Sequence, residues 1–471
     1  MWDVKKWTDI IYFILILIIL LYILYPTLTS SYNKYYNKHK VYNEEEDDVE
    51  EEDIDSEVSE INYSNYEIYD QNFRLKTINS DDIEIEENSG FKYKDFINIY
   101  DHPSFLTNYR DSLKISFNEK LKIYNKMLKE LTNDLNAAQS RYDASNAYMG
   151  HDTNLQRLRR LKSEVESIIN IINYRLGNST IKDIKQNFKR MIYDKNQGFN
   201  SLIGRDEVKD SLALQIYTFS KNPRIFFNNF QNIIITGKSG VGKTKLADTI
   251  GFIYSKSGIF ARHKFRCVTK QDFTSQYVNE ASQLTRELLF SCLEGVIFID
   301  EAYEIIPEKG MFGNNFDHGN EALTEMVNFW DKNIGLSCTI MGGYKKEMNR
   351  ITEANEGVDR RFPYKLHLKK YNSIQLMNIL LKFLHKSAPD IYISQKDANT
   401  IYTILNYLYI EDKSLFSKQA GDMLNLSSFI SKSIYGNNSI VWEKNKSRNN
   451  SKLILNGFNG YLRSKGTKLL I

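Results

Sequence analysis

The sequence predicts an α/β protein: a parallel sheet built around a phosphate-binding loop, preceded by a helical hairpin and a single N-terminal membrane-spanning helix. Three observations predict it. A β-branched run, Asn232–Thr236 (NIIIT), leads straight into GKSGVGKT (Gly237–Thr244) and then into a helical pattern, KLADTIGFIYSKSG. A second apolar run, Gly295–Glu301 (GVIFIDE), ends in two carboxylates. Ahead of both, apolar residues recur at steps of three and four over two long stretches, the signature of amphipathic helices.

Composition bounds what such a chain can be. Its 471 residues suffice for two or three domains, and 42% apolar with 26% charged residues excludes wholesale disorder and a polytopic membrane protein. Lysine plus arginine number 62 against 59 acids, a net charge of +3, which excludes a protein built mainly to coat nucleic acid. Cys267, Cys292 and Cys338 lie far apart and make neither a disulfide framework nor a zinc site.

Taken in chain order, residues 1–33 read as a membrane anchor. Ile10–Tyr25 is apolar without interruption, and Trp2, Trp7, Tyr22 and Tyr25 suit the membrane interface. Lys5 and Lys6 are offset by Asp3 and Asp9, and YPTLTSSY makes a poor cleavage site, so the segment is expected to stay uncleaved. Lys34, Lys38 and Lys40 follow it without an acid among them, which places the rest of the chain in the cytosol. Residues 34–105 read as an acidic, disordered linker, because the run Glu44–Glu60 repels itself and cannot bury a core.

Residues 106–195 carry the helical hairpin. Leu113, Phe117, Leu121, Tyr124, Leu128, Leu131, Leu135 and Ala138 share one stripe; after Gly150, Leu158, Leu161, Val165, Ile168, Ile172 and Leu176 resume it. The pattern fits a hairpin packed on itself and equally a coiled-coil arm for oligomerisation or docking.

Residues 196–369 hold the nucleotide chemistry. GKSGVGKT fits G-x-x-x-x-G-K-[ST] in strand–loop–helix context. Gly237, Lys238, Ser239, Gly240, Val241 and Gly242 would wrap the phosphates of ATP with backbone N–H groups beside a helix N-terminus. Lys243 would neutralise the β- and γ-phosphates and Thr244 would hold Mg²⁺. Strand ends are where open α/β sheets bind ligands, so Asp300 becomes a second Mg²⁺ ligand and Glu301 the base that orients and deprotonates the attacking water.

FIDEAYEI, GNEAL (Gly319–Leu323), IMGGYKKEM (Ile340–Met348), GVDRRFP (Gly357–Pro363) and, upstream, LIGRDEVKDSL (Leu202–Leu212) occur in one order. Together they resemble the CbbX/CfxQ-like branch of the AAA+ ATPases, whose founding members remodel inhibited rubisco. The resemblance covers about Phe199–Ile434. It implies an AAA+ parallel sheet, a small helical lid over residues 370–436, a hexameric ring, ATP hydrolysis and remodelling of a client protein. Leu202, Ile203 and Gly204 match the segment that packs on adenine. Tyr277 and Val278 match the pore-loop pair that grips a polypeptide, with Asn279 where the family has glycine. Arg361 matches the arginine that reaches a neighbour's γ-phosphate, with Arg360 beside it able to serve instead. TIMGGY ends in glycines where other AAA+ proteins place a polar sensor. In the lid, Gly421 stands where the family carries an arginine, and Lys418 is the nearby cation. Residues 437–471 read as a basic tail.

Two other functions remain open at this level: a nucleic-acid-associated P-loop motor, disfavoured by the near-neutral charge and the anchor, and a nucleotide-gated scaffold that does not hydrolyse.

Overall fold

The computed structural model describes residues 90–144, 153–273, 280–306, 318–389, 393–436 and 451–470. The expected membrane anchor, the acidic run and the Tyr277–Val278 pair lie outside them. Among the described residues no helix is long and apolar enough to cross a membrane.

Five short apolar runs make one sheet: β1 (Ile233–Gly237), β2 (Phe265–Val268), β3 (Val296–Ile299), β4 (Cys338–Gly343) and β5 (Tyr364–Leu368). Their order is β2-β3-β4-β1-β5 and every pairing is parallel. Parallel strands need helices on both faces, so the central ones are buried and mostly apolar. All four residues of β3 and all six of β4 are buried. β4 pairs with both β1 and β3. The ends of β1 and β3 therefore flank a single strand, roughly 10 Å apart at ordinary strand spacing.

Ahead of the sheet, α1 (Tyr93–Ile99) is followed by α2 (Pro103–Ala144), α3 (Thr153–Asn178), α4 (Ile181–Tyr193) and α5 (Asp206–Lys221). The linker expected over 34–105 is thus ordered at its end. Phe96 of α1 is fully buried among Phe105, Phe188 and Phe199, an aromatic cluster that the surrounding polar composition concealed.

α2 and α3 form the expected helix pair, but its base is no free arm. Leu113, Phe117 and Tyr124 belong to the same core as β1 and β3. Lys120 and Glu294 pair with side-chain exposures of 1% and 0%. Lys120 Nζ also donates to the carbonyl of Ile259 at 2.7 Å, while Tyr124 Oη donates to Glu294 at 3.0 Å and the Ala261 N–H at 2.7 Å. Burial lowers the Lys120 pKa and the Glu294 charge opposes that shift. A buried ion pair is tolerable only when its remaining donors and acceptors are met, as they are here. The stripe read as self-packing or docking is in part a wedge into the α/β core.

Within the sheet region come α6 (Lys243–Ser257), α7 (Glu280–Ser291), α8 (His318–Lys332), α9 (Lys345–Ala354) and α10 (Gly357–Arg361). The lid comprises α11 (Ser373–Ser387), α12 (Gln395–Glu411), α13 (Ala420–Tyr435) and α14 (Ser451–Ser464) around its own apolar cluster. α14 lies in the segment read as a basic tail and corrects that reading. Ile454, Phe458, Tyr461 and Leu462 face the lid core, and its basic residues ride the outer face. Gly457 lets α14 approach α13 closely, since a Cβ there would lie 2.6 Å from the Cα of Ile430. Lys465 then donates at 2.9 Å to Asp422, a fully buried carboxylate.

Candidate nucleotide site

The phosphate loop closes on two left-handed glycines, Gly240 (φ +74°) and Gly242 (φ +95°), a conformation that L side chains rarely adopt. α6 starts immediately after, at Lys243, so its first-turn N–H groups open toward the loop. Lys243 is 7% exposed, donates at 3.1 Å to the carbonyl of Gly237, and lies 3.9 Å from a Glu301 oxygen. Thr244 stays exposed at the mouth.

From the other side, β3 delivers Asp300 and Glu301. Glu301 adopts a left-handed conformation (φ 47°, ψ 48°), a strain of about 1–3 kcal/mol of the kind that collects at functional sites. Its N–H donates to the Asp300 carboxylate at 3.1 Å. One Glu301 oxygen, Oε2, is buried without a hydrogen-bond partner. An orphaned carboxylate oxygen beside a buried lysine and a left-handed glycine cradle fit a triphosphate and its metal. Thr244 and Asp300 are the residues that would hold Mg²⁺, which when bound offsets charge on the phosphates. The chain's own part would be to seat the phosphates with backbone N–H groups and Lys243, and to offer Glu301 as acceptor for a water proton.

Two tyrosines that the sequence reading passed over complete this face. Tyr344, at the end of β4, places its ring centroid 4.9 Å from Lys243 Nζ. Tyr303 lies against the Glu301 carboxylate; burial, then that carboxylate, push its phenol pKa up. The glycines ending β4 also gain a reason. A Cβ on Gly342 would meet the Phe298 ring at 2.6 Å, and one on Gly343 would meet Met348 at 2.7 Å and Tyr303 at 2.9 Å. Phe298, Met348 and Tyr303 thus leave no space for a side chain at either position.

The lid touches the loop through backbone. A Cβ on Gly240 would lie 1.9 Å from the carbonyl of Lys418, and the Ala420 N–H donates to Gly240 at 3.2 Å. Between them Gln419, 2% exposed, holds φ 49° and ψ −114°, with its Oε1 accepting the Tyr371 N–H at 2.7 Å. Tyr371 Oη and Arg205 Nη2 both donate at 2.9 Å to the carbonyl of Val241, and the guanidinium stacks 4.2 Å over the Tyr371 ring. Arg205 also reaches Lys369 at 3.0 Å, so one side chain ties the loop to the start of the lid. It stood inside the LIGRDE string, a signal that was present and unused. Beside it, Leu202 packs in the main core, Ile203 against the lid cluster, and Gly204 (φ +59°) leaves no room for a Cβ against Gln375. These three residues thus line the seam between core and lid.

Arg361 does not stand as expected. Its side chain is 6% exposed, held by a bidentate pair with Asp331 and a 2.6 Å bond to the carbonyl of Gly357. A guanidinium with its donors spent inside its own subunit is not free to reach another. Arg360, one residue earlier, is exposed.

Residues 233–369, from β1 through β5, match the model of the AAA family, the ATPase family associated with various cellular activities. The ESX-1 secretion system protein EccA1 of Mycobacterium tuberculosis is 30% identical over 149 residues, which is 32% of this chain and 26% of that protein. Stage V sporulation protein K of Bacillus subtilis is 26% identical over 197 residues, 39% of this chain and 58% of that protein. The ESX-3 secretion system protein EccA3 of M. tuberculosis is 25% identical over 239 residues, covering 49% and 35% respectively. The chain thus spans only part of the length of the curated relatives it matches. The match is to the AAA family as a whole and does not single out the CbbX/CfxQ-like branch. With the phosphate loop on β1 and the paired carboxylates on β3 brought to one edge of a parallel sheet, residues 233–369 resemble an AAA-family domain in sequence and in the placing of these groups.

Proposed function

We propose that this chain hydrolyses ATP with Mg²⁺, works as a homo-oligomeric ring of the CbbX/CfxQ-like kind, and uses the cycle to pull on or rearrange a client protein. A membrane anchor in residues 1–33 would hold the ATPase domain in the cytosol. The observation that carries hydrolysis is Glu301, whose unpartnered Oε2 stands beside the buried Lys243. In the ring, Arg360 takes the role first read for Arg361, because it is exposed and its neighbour is committed.

The test uses the full-length chain: ATP turnover, and mass with and without nucleotide. Lys243→Ala should abolish nucleotide binding and turnover together. A mass that stays monomeric at saturating ATP while turnover proceeds would remove the ring from this reading; turnover surviving Lys243→Ala would remove the site.

A further inference from the structure

α6 spans 15 residues, about 22 Å from the phosphate loop to its far end. Around that far end the base of the hairpin, α4 and the close of α6 enclose a cavity of about 330 Å³, within the range of small-molecule sites. Three of its wall residues are cations from three different elements: Arg175, Arg190 and Lys256. Arg175 is fixed, donating at 2.9 Å to the carbonyls of Phe260 and Ser255. Neither Arg190 nor Lys256 forms an ion pair among the described residues.

A lysine in a last helical turn is ordinary, since it meets the negative end of the helix dipole. Arg175 and Arg190 likewise lie in the last turns of their own helices, so what distinguishes this cavity is that three such helix ends, each with its cation, meet at one space. Two nearby acids, Asp183 on the wall and Asp194, offset the three cations only in part. Asp183 accepts the Thr180 N–H and hydroxyl as the cap of α4, and Asp194 accepts the N–H groups of Asn196 and Gln197. Burial, then the charges of Arg190 and Arg175, pull the Lys256 pKa down, and Asp194 offsets this only in part. Three cations converging on one cavity make a field that attracts anions. Asn187 adds a neutral donor on the same wall, while the Asn178 amide and the Ser179 hydroxyl are engaged by the carbonyls of Tyr174 and Arg175.

We propose that this cavity is a second anion site, separate from the nucleotide site, which takes a small multiply charged anion of the phosphate or diphosphate class. Arg175 forms its fixed floor, and Arg190 and Lys256 close on the ligand from α4 and α6. Because the three come from the hairpin, α4 and α6, occupancy would tie the hairpin base to the helix that begins at the phosphate loop.

The probe is inorganic pyrophosphate, titrated calorimetrically into the full-length chain carrying Lys243→Ala, so that the phosphate loop does not contribute. Saturable binding is expected. Adding Arg190→Gln and Lys256→Gln should weaken it by at least about tenfold for each cation removed. The thermal midpoint without ligand should not fall in that chain, because a repulsion has been removed. Asn187→Asp, which adds a carboxylate to the wall at nearly constant volume, should weaken binding as well and stands in should the double variant not fold. Pyrophosphate affinity unchanged in these variants, or no saturable binding to the Lys243→Ala chain, overturns the proposal.

Discussion

α6 carries a lysine near each end, and the two are held in opposite ways. Lys243, at the N-terminus, is buried against a carbonyl and 3.9 Å from a carboxylate. Lys256, at the C-terminus, shares its cavity with two arginines. At the first end the attraction for phosphate comes mainly from backbone: left-handed glycines, first-turn N–H groups and the positive pole of the helix. At the second the helix pole has the wrong sign for an anion, so only side chains converging from elsewhere can supply the attraction. A backbone site is written as a local string of residues. A side-chain site assembled from three helices leaves no string to read.

The sharpest way to break the contrast is at Glu301. Glu301→Gln should lower turnover by about 10²–10⁴-fold while nucleotide binding persists, read from phosphate release beside equilibrium binding. Equal turnover in the two chains would leave Lys243 without its catalytic neighbour and reduce that end to a binding site. Next in size is the weld that holds the hairpin against the far end. Lys120→Met strands the Glu294 carboxylate in the core and should cost about 3–5 kcal/mol in urea unfolding. A loss below about 1 kcal/mol would mean that the hairpin base is not part of the core.

A third comparison sets two adjacent arginines against each other. Arg361→Ala should lower stability by about 2–3 kcal/mol, since it removes charge-assisted bonds to Asp331. Arg360→Ala should leave stability within about 0.5 kcal/mol and act on turnover in the assembled form. The opposite pattern in denaturation and turnover would return the reaching role to Arg361. The smallest effect belongs to Tyr371→Phe, which deletes the bond to Val241 and keeps the ring under Arg205. Nucleotide affinity should fall about fivefold, equivalent to about 1 kcal/mol, with the melting temperature nearly unchanged. An unchanged affinity would show that the lid does not set the loop.

How much was legible follows the same division. GKSGVGKT and GVIFIDE declared themselves because each needs one strand and the residues next to it. Arg205, Tyr371 and Gln419 did not, although they converge on the loop from positions far apart in the chain. Phe96 and α14 were hidden by composition: a few aromatic and aliphatic residues within polar segments suffice when a core is waiting for them. The pairing of Arg361 with Asp331 was not legible, because a sequence string records which residues are adjacent, not which carboxylate lies across the fold.

By itself the sequence determined the phosphate loop, the strands around it, the paired acids and the amphipathic helices ahead of them, because each is set by backbone geometry or by periodicity within one segment. Tertiary structure alone decided that the acids meet the loop across β4, that the hairpin is anchored through Lys120 and Glu294, that Arg361 turns inward, and that three cations share one cavity. Those outcomes depend on distances between segments, and a distance in space is fixed only when the chain has packed.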